Sequence, residues 1–171
     1  MIQLDGVSGR RMGDLGEFSI ALRTFLRAYP WRRIDPVPYV ALQKPLAACR
    51  LALVSSAGFV VRHEPSFDES VRGGDVSWRR IPNHIDVSDL VDTHRSESFD
   101  HTGVRSDPNL AFPLDRLREL VASGRLGSLA RTHLSFMGSI TAPGRLVRGT
   151  ASEAASVLVD DAVDVALLVP V

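Results

Sequence analysis

Residues 164–171 read DVALLVPV, an apolar run with charge only at its beginning. A short uninterrupted run of this kind is typical of a parallel strand that is covered on both faces. A second run, LALV at residues 51–54, lies within Arg50–Val61 and is followed by SSAG at residues 55–58. We therefore predict two buried strands, the first of which ends in a tight turn.

Helical and extended patterns alternate between these two strands. After Pro113 an amphipathic helix is predicted, with Asp115 in its first turn and Gly124 at its end. Residues 132–140 (THLSFMGSI) resemble a strand, and Thr150–Ala162 a helix. The inward residues of the two helices are predicted to be Leu114, Leu117, Leu120 and Val121 in the first, and Ala151, Ala154, Ala155, Leu158 and Val159 in the second. The order indicates an α/β fold, an open and mostly parallel sheet with flanking helices and right-handed crossovers.

The position of the run at residues 164–171 creates a difficulty for this fold. Reactive side chains of open α/β sheets gather on the loops beyond the carboxyl ends of the strands. A central parallel strand is also normally followed by a helix that covers it. The given sequence stops at Val171, so we expect the domain to be incomplete at its C-terminus.

The N-terminal part has a different character. Residues 13–29 carry apolar side chains at helical spacing, and Asp14 is placed to cap the first turn, which predicts an N-terminal amphipathic helical arm. Pro30–Pro45 holds four prolines and is predicted to be an extended connector. We therefore expect the arm and connector over residues 1–43 and the α/β domain over residues 44–171.

Composition and standard motifs exclude several functions. The 171 residues carry 20 basic and 20 acidic side chains, so no broad positive field favours nucleic acid. No apolar run approaches the roughly 20 residues of a membrane span, and the N-terminus lacks a signal core, so we expect a cytoplasmic protein. The glycine-rich, GxSxG and HExxH motifs are missing from the sequence, and its five histidines and single Cys49 match no zinc spacing. We predict no metal site and give Cys49 no catalytic role.

The polar segment from His63 to Asn109 has no sustained periodicity and is predicted to be a long loop, which is more often functional than idle. Its charged side chains could converge over the ligand-binding edge of the sheet. They could instead order the loop by hydrogen bonds to turn backbones, which is the interpretation that the residues alone favour. The residues concerned are Asp75, Arg79, Arg80, His94, Asp100 and Asp107.

Three motifs in fixed order carry a family resemblance over residues 44–171. They are GD-x-S-aromatic-R-x-IP beginning at Gly74, D-x-N-x-x-FP-x-x-RL-x-EL beginning at Asp107, and F-x-G beginning at Phe136. In this order the sequence resembles the selenoprotein B family of the glycine, sarcosine and betaine reductases, which includes a subunit of D-proline reductase.

The resemblance implies where the reactive group lies. In that family the strand equivalent to residues 164–171 is followed at once by selenocysteine or cysteine, so no catalytic residue is expected within the chain and the nucleophile is expected directly after Val171. Ser55, Ser56 and Gly58 would lie near it. The residues that match positions of the family pattern, as substrate-pocket or loop-ordering side chains, are Asp75, Arg79, His94, Asp100, Asp107 and Asn109.

The resemblance also implies the chemistry, which is reductive cleavage of a carbon–heteroatom bond, typically the C–N bond of glycine, betaine, sarcosine or D-proline. Electrons would come from a thiol donor of the thioredoxin type, and a pyruvoyl group would be supplied by a partner subunit, within a homo- or hetero-oligomer. Apart from selenocysteine, no cofactor is expected in the chain itself. The alternative is a non-catalytic α/β module that binds a ligand or docks to another subunit.

Overall fold

The computed structural model describes residues 19–30, 33–97 and 99–171. The chain divides into two compact units, Met1–Val40 and Ala41–Val171. In the first unit, helix α1 spans Ile20–Ala28, and the Ser19 hydroxyl caps it by accepting from the Leu22 N–H. The remainder of the predicted helix, residues 13–18 with Asp14, lies outside the described residues.

The second unit contains strands and three further helices. The strands are β1 (Arg50–Ser55), β2 (Phe59–Val61), β3 (Trp78–Pro82), β4 (Leu90–Asp92), β5 (Ser128–Leu129), β6 (Thr132–Phe136) and β7 (Val165–Val169). The helices are α2 (His101–Ser106), α3 (Leu114–Ala122) and α4 (Ala151–Asp160), the last preceded by a π-helical turn at Leu146–Thr150. The α/β fold is thus confirmed.

Strand β1 is the centre of a five-stranded, mostly parallel sheet. Leu51 pairs with both β5 and β7, and Val54 with both β6 and β7, so β5 and β6 lie on one side of β1 and β7 on the other. Only β3 runs antiparallel, along β6. Strands β2 and β4 form a separate antiparallel pair. This arrangement brings the carboxyl ends of β1, β6 and β7 to one edge of the sheet.

The imidazole of His133 fills an irregular position beside β1. Parallel pairing to β5 ends at Leu51 and pairing to β6 resumes at Val54. Between them the Leu53 N–H donates to His133 Nδ1 at 3.1 Å, and His133 Nε2 lies 3.2 Å from Asn83 Oδ1. The fully buried His133 side chain therefore accepts a hydrogen bond from the Leu53 N–H, which neither β5 nor β6 reaches.

The main core packs between the sheet, α3 and the β2–β4 pair. The rings of Phe59 and Phe112 meet edge to face with their centroids 6.1 Å apart. Leu114 and Leu117 of α3 are buried, as predicted, and Leu120 and Val121 pack against the same cluster. Gly124 follows the helix with φ of 70°, a conformation that glycine adopts without a side-chain clash.

Two predictions about burial were wrong. Strand β7 pairs in parallel as expected, but no described strand pairs with its outer edge, and Leu168 is 67% exposed. An apolar sequence favours burial of a strand, but the strand is buried only where other elements pack against it. In α4 three residues predicted to face inward, Ala151, Ala155 and Val159, are exposed, Val159 to 74%, while Ala154 is buried.

The expectation of an unbroken loop from residue 63 to 109 was also wrong. That segment contains β3, β4 and α2. Strand β3 forms because Trp78–Pro82 pairs with β6 over its whole length. This is a tertiary contact, which the short Arg-rich sequence of the strand does not predict. Helix α2 begins where the carboxylate of Asp100 accepts from the Gly103 N–H.

Candidate functional site

A cleft of about 350 Å³ opens where the parallel strands end. Gly138 follows β6 and Val171 follows β7, and both line it. This is the edge at which open α/β sheets bind ligands. The remaining lining residues come from the segment after β4 and from the residue after Gly138, and they are His94, Ser96, Phe99, Asp100 and Ser139.

Ser56 fixes the main chain beyond β7. Its hydroxyl accepts from the Val171 N–H at 3.0 Å, and its own N–H donates to the Val169 carbonyl at 3.1 Å. Ser55, the neighbouring candidate, is buried and donates to the Ala111 carbonyl at 2.7 Å. Ser56 therefore positions Val171 directly, whereas the Ser55 hydroxyl ties β1 to the segment ahead of α3.

Two glycines allow the backbones around the cleft to approach one another. A Cβ on Gly138 would lie 2.6 Å from the Ser56 carbonyl oxygen and 2.8 Å from both His94 Nε2 and the Val171 oxygen. Gly58 has φ of 68°, and a Cβ there would lie 3.0 Å from His94 Cα. Gly58 also accepts from the Thr93 hydroxyl at 2.6 Å, which holds the chain just before His94.

The ring of His94 presents a free donor to the cleft. The side chain is 7% exposed, and among the described residues Nε2 has no hydrogen-bond partner. The Ser96 N–H donates to Nδ1 at 3.3 Å, so the neutral ring is assigned the tautomer with its proton on Nε2. Burial lowers the pKa of His94 below its ordinary value, which favours this uncharged form.

Asp100 and Phe99 complete the described wall beside His94. Asp100 lines the cleft while one of its carboxylate oxygens caps α2 through the Gly103 N–H at 3.0 Å. The Phe99 ring lies 4.5 Å from the His94 ring between centroids. The cleft thus combines a neutral N–H donor, a carboxylate and an aromatic face, and none of the described residues that line it is an arginine or a lysine.

Asp75 and Arg79 lie outside the cleft lining and order the loop ahead of β3. The Asp75 carboxylate accepts from the N–H groups of Asp68 and Ser77 at 2.9 and 2.8 Å. Burial opposes its charge, but these hydrogen bonds outweigh that effect and hold the pKa of Asp75 below its ordinary value. Arg79 donates to the carbonyls of Pro65 and Ser66.

The Arg79 guanidinium has further contacts in the same loop. It donates to the Ser77 hydroxyl and the Trp78 carbonyl, and it lies 4.2 Å from the Phe67 ring centroid. Arg80 points outward, with its guanidinium 5.3 Å from the Trp78 ring centroid. Nearly all donors of Arg79 are therefore engaged within the loop.

Asp107 and Asn109 organise the entry to α3. Asp107 accepts from both the backbone and the side-chain amide of Asn109, at 3.0 and 3.1 Å. Asn109 in turn donates to the Asp115 carboxylate and accepts from the Asp115 N–H. Neither residue lines the cleft. Their geometry is that of a capping network for a helix whose N-cap is a proline without a side-chain hydrogen bond.

The predicted residues therefore separate into those around the cleft and those that order loops. His94 and Asp100 line the cleft, Ser56 anchors Val171, and Gly58 supports the chain behind His94. Sequence reasoning missed Gly138 as a site residue, although the F-x-G motif contained it. Within the described ranges no group of three or more His, Cys, Asp and Glu side chains is arranged to hold a metal ion.

A family model described as "Glycine/sarcosine/betaine reductase selenoprotein B (GRDB)" matches residues 18–170. This match includes every strand of the sheet and all but the last residue of the cleft. The chain belongs to this family. No solved structure matches it.

Curated relatives of this selenoprotein B family member are reductase subunits. The chain is 32% identical over 136 residues to the D-proline reductase subunit gamma of Acetoanaerobium sticklandii, covering 79% of the chain and 54% of that relative. It is 29% identical to the sarcosine reductase complex component B subunit beta of Peptoclostridium acidaminophilum, over 84% of the chain and 33% of the relative. The chain thus spans between about half and a third of the length of these two relatives.

A third relative extends the comparison to glycine reductase. The glycine reductase complex component B subunit gamma of Carboxydothermus hydrogenoformans is 28% identical over 77% of the chain and 30% of its own length.

Among the described residues of this selenoprotein B family member, no helix is both long and apolar enough to cross a bilayer.

Proposed function

We propose that this chain is part of a reductase subunit whose reactive selenocysteine or cysteine follows Val171 directly. The single observation that carries the proposal is the anchoring of Val171. Its N–H is held by Ser56 at a cleft that is also lined by His94, whose buried Nε2 has no partner among the described residues. A side chain one position further along would emerge from the carboxyl end of β7, where reactive groups of open α/β sheets gather.

The chemistry would be reductive cleavage of a C–N bond in a small amine such as glycine, sarcosine, betaine or D-proline. A selenolate or thiolate at position 172 would supply the nucleophile for the α-carbon, the bonding electron pair leaving with nitrogen. An external dithiol of the thioredoxin type would then supply two electrons, becoming a disulfide as the carbon is released with a proton and the chalcogenide is restored. Both chalcogenides suit this because they are polarisable nucleophiles; a selenol is ionised near neutral pH, and a thiol becomes so where its surroundings lower its pKa.

The described residues would support this reaction by position and charge. The Nε2–H of His94 would donate a hydrogen bond to the anion at position 172. Ser56 would hold the backbone, and the close approach at Gly138 would exclude water from one side. Asp100 and the Phe99 ring present a carboxylate and an aromatic face, which suit a substrate ammonium group.

A partner subunit is part of the proposal, because the curated relatives are named as subunits of reductases or reductase complexes. The carbonyl that activates the amine, a pyruvoyl group in this family, would be contributed by that partner. For the choice between substrate-pocket and loop-ordering roles, the observed contacts support the following division. Asp75, Arg79, Asp107 and Asn109 are assigned to loop ordering, and His94 and Asp100 to the pocket.

The gene sequence and thiol chemistry test this proposal. The codon after Val171 is expected to be UGA or a cysteine codon. The protein expressed through that codon is reduced and treated with iodoacetamide, and peptide mass spectrometry is expected to find alkylation at position 172. Cys49 is fully buried, so a Cys49→Ala variant serves as the matched control and is expected to label equally.

Two results would overturn the proposal. One is a codon at position 172 that encodes neither chalcogen residue. The other is a chalcogen at position 172 that stays unlabelled in the reduced, folded protein. Either result would favour the alternative function, a non-catalytic module that binds a ligand or docks to another subunit.

A further inference from the structure

The ring of His101 lies between two acceptors that belong to one short segment. Its Nδ1 is 2.6 Å from Asp92 Oδ2, and its Nε2 is 3.0 Å from the Ser96 carbonyl oxygen. A backbone carbonyl can only accept, and an ionised carboxylate likewise only accepts. Both ring nitrogens must therefore donate for both contacts to form, which only the imidazolium can do.

Asp92 stabilises the positive charge of the His101 ring. Its side chain is 1% exposed, and besides His101 it contacts Arg105, whose Nε lies 3.1 Å from the same Oδ2. A buried carboxylate without cations would be costly, whereas two cations compensate it. The hydrogen bond to Asp92 raises the pKa of His101 above its ordinary value, in agreement with the geometry.

The same groups hold His94. The other oxygen of Asp92 accepts from the His94 N–H at 3.0 Å, and the Ser96 N–H donates to His94 Nδ1 at 3.3 Å. The contacts thus form a closed ring that runs from His94 to Ser96, His101, Asp92 and back to His94. His101 is the member that ties the two ends of the segment together.

We propose that His101, as an imidazolium, is the positioning residue for His94, holding its ring in the Nε2–H tautomer directed at the cleft. The importance of this tautomer for reduction rests on the proposed function, but its existence does not. The groups that face His101 are Asp92, Arg105, the Phe99 ring at 5.3 Å and the His94 ring at 6.5 Å. Among these described groups Arg105 is the one guanidinium, and it shares Asp92 Oδ2 with His101.

The pH dependence follows from the sign of this interaction. His101 carries its proton, and both contacts exist, at pH values below its raised pKa. As the pH rises through that pKa, one ring nitrogen loses its proton and one of the two contacts is lost. The closed ring of hydrogen bonds through residues 92–96 is then broken at His101. His94 is no longer held in one tautomer and can exchange between the two.

Histidine ring ¹⁵N NMR on the purified chain tests the inference without any turnover assay. Near neutral pH, His101 is expected to show two protonated nitrogens, with a titration midpoint above that of free histidine. His94 is expected to show one protonated nitrogen, Nε2. A neutral His101 pattern near neutral pH, in the folded chain, would overturn the proposal without any variant.

A His101→Phe variant separates positioning from mere structure. Phenylalanine keeps a ring against Phe99 but cannot donate, so His94 is expected to show both neutral tautomers instead of one. His63→Asn is the matched control, because His63 is exposed with φ of 74°, a conformation that asparagine tolerates, and it should leave the His94 signals unchanged. A single His94 tautomer that persists in His101→Phe would contradict the positioning role.

The readouts also distinguish this inference from the proposed function. Should His94 lose its tautomer in His101→Phe while position 172 proves to be unreactive, the proposed function fails and the positioning stands. Should position 172 be alkylated equally in both proteins and His101 be neutral, the positioning fails and the proposed function stands.

Discussion

Val171 and Ser56 are joined by a hydrogen bond of 3.0 Å from the Val171 N–H to the Ser56 hydroxyl, which links the end of β7 to the turn after β1. The contact crosses the same strand pair that aligns Ser55 with Val169. The association of β7 with β1 therefore extends two residues beyond the strand through a side-chain contact, which holds the backbone of Val171.

Replacing Ser56 by alanine tests this anchor. The Ser56→Ala variant is expected to lose about 1 kcal/mol of local stability, so the Val171 amide should exchange with solvent about fivefold faster. Ser156→Ala is the matched control, since it also removes a serine hydroxyl that forms a hydrogen bond, in this case as donor to the Ser152 carbonyl on the exposed part of α4. Equal Val171 exchange in the two variants, measured by hydrogen–deuterium exchange, would show that the hydroxyl does not hold the chain.

A methyl group at Gly138 is expected to disturb the cleft. Its Cβ would come within 2.8 Å of His94 Nε2, the Val171 oxygen and the Ser56 oxygen, so backbone has to move. Gly138→Ala is expected to lower the free energy of unfolding by about 1–3 kcal/mol, the usual cost of overpacking. Urea denaturation at neutral pH measures this loss.

The matched control for that variant is Gly149→Ala in the π-helical turn, where an added Cβ meets no atom within 4 Å. Alanine favours helical backbone over glycine, so this variant is expected to be neutral or to gain up to about 1 kcal/mol. A Gly138→Ala protein as stable as Gly149→Ala would refute the close approach around the cleft.

The elements predicted correctly from sequence are those whose pattern is local. Strand β1 and helix α3 have apolar residues at the spacing of their own geometry, and Gly124 marks the helix end. Strand β3 has no such pattern, because Trp78–Pro82 becomes extended only by pairing with β6. The burial of β7 could not be predicted either, since it depends on what lies at its outer edge.

The candidate site shows the same limit at the level of single residues. Asp100 caps α2 and Asp107 caps the short helical turn ahead of α3. Of these two capping residues, Asp100 lines the cleft and Asp107 does not. What separates them is the path of the chain after β4. Gly138 was present in a recognised motif, but its role depends on how near Ser56 and His94 come in space.

The engagement of Arg79 predicts a loss of loop order rather than of ligand affinity. Arg79→Ala removes the donors to Pro65, Ser66 and Ser77, each contact being worth about 1 kcal/mol at a partly buried site. Amides of residues 65–77 are expected to exchange several-fold faster. Arg80→Ala is the matched control, because Arg80 is the exposed neighbour on the same strand and its guanidinium lies over the Trp78 ring. Unchanged amide exchange in Arg79→Ala would show that Arg79 does not order the loop.

Acid is expected to destabilise the domain through His133. Burial lowers the pKa of His133 to about 4, against an ordinary value of 6.5, and the positive charge of Arg118 acts in the same direction. Between these two values the unfolded chain binds a proton that the folded chain does not. Stability from this residue is therefore complete above pH 6.5 and is lost as the pH falls towards 4, by up to about 3 kcal/mol.

His133→Gln isolates that effect, because glutamine can still form a hydrogen bond but does not titrate. The variant is expected to be less stable near neutral pH and to lose less stability than the wild type on acidification. Urea unfolding at a series of pH values measures the difference between the two proteins. Since His94 and the carboxylates titrate in both, they cancel in that difference, and two parallel profiles would mean that His133 is not held uncharged by its burial.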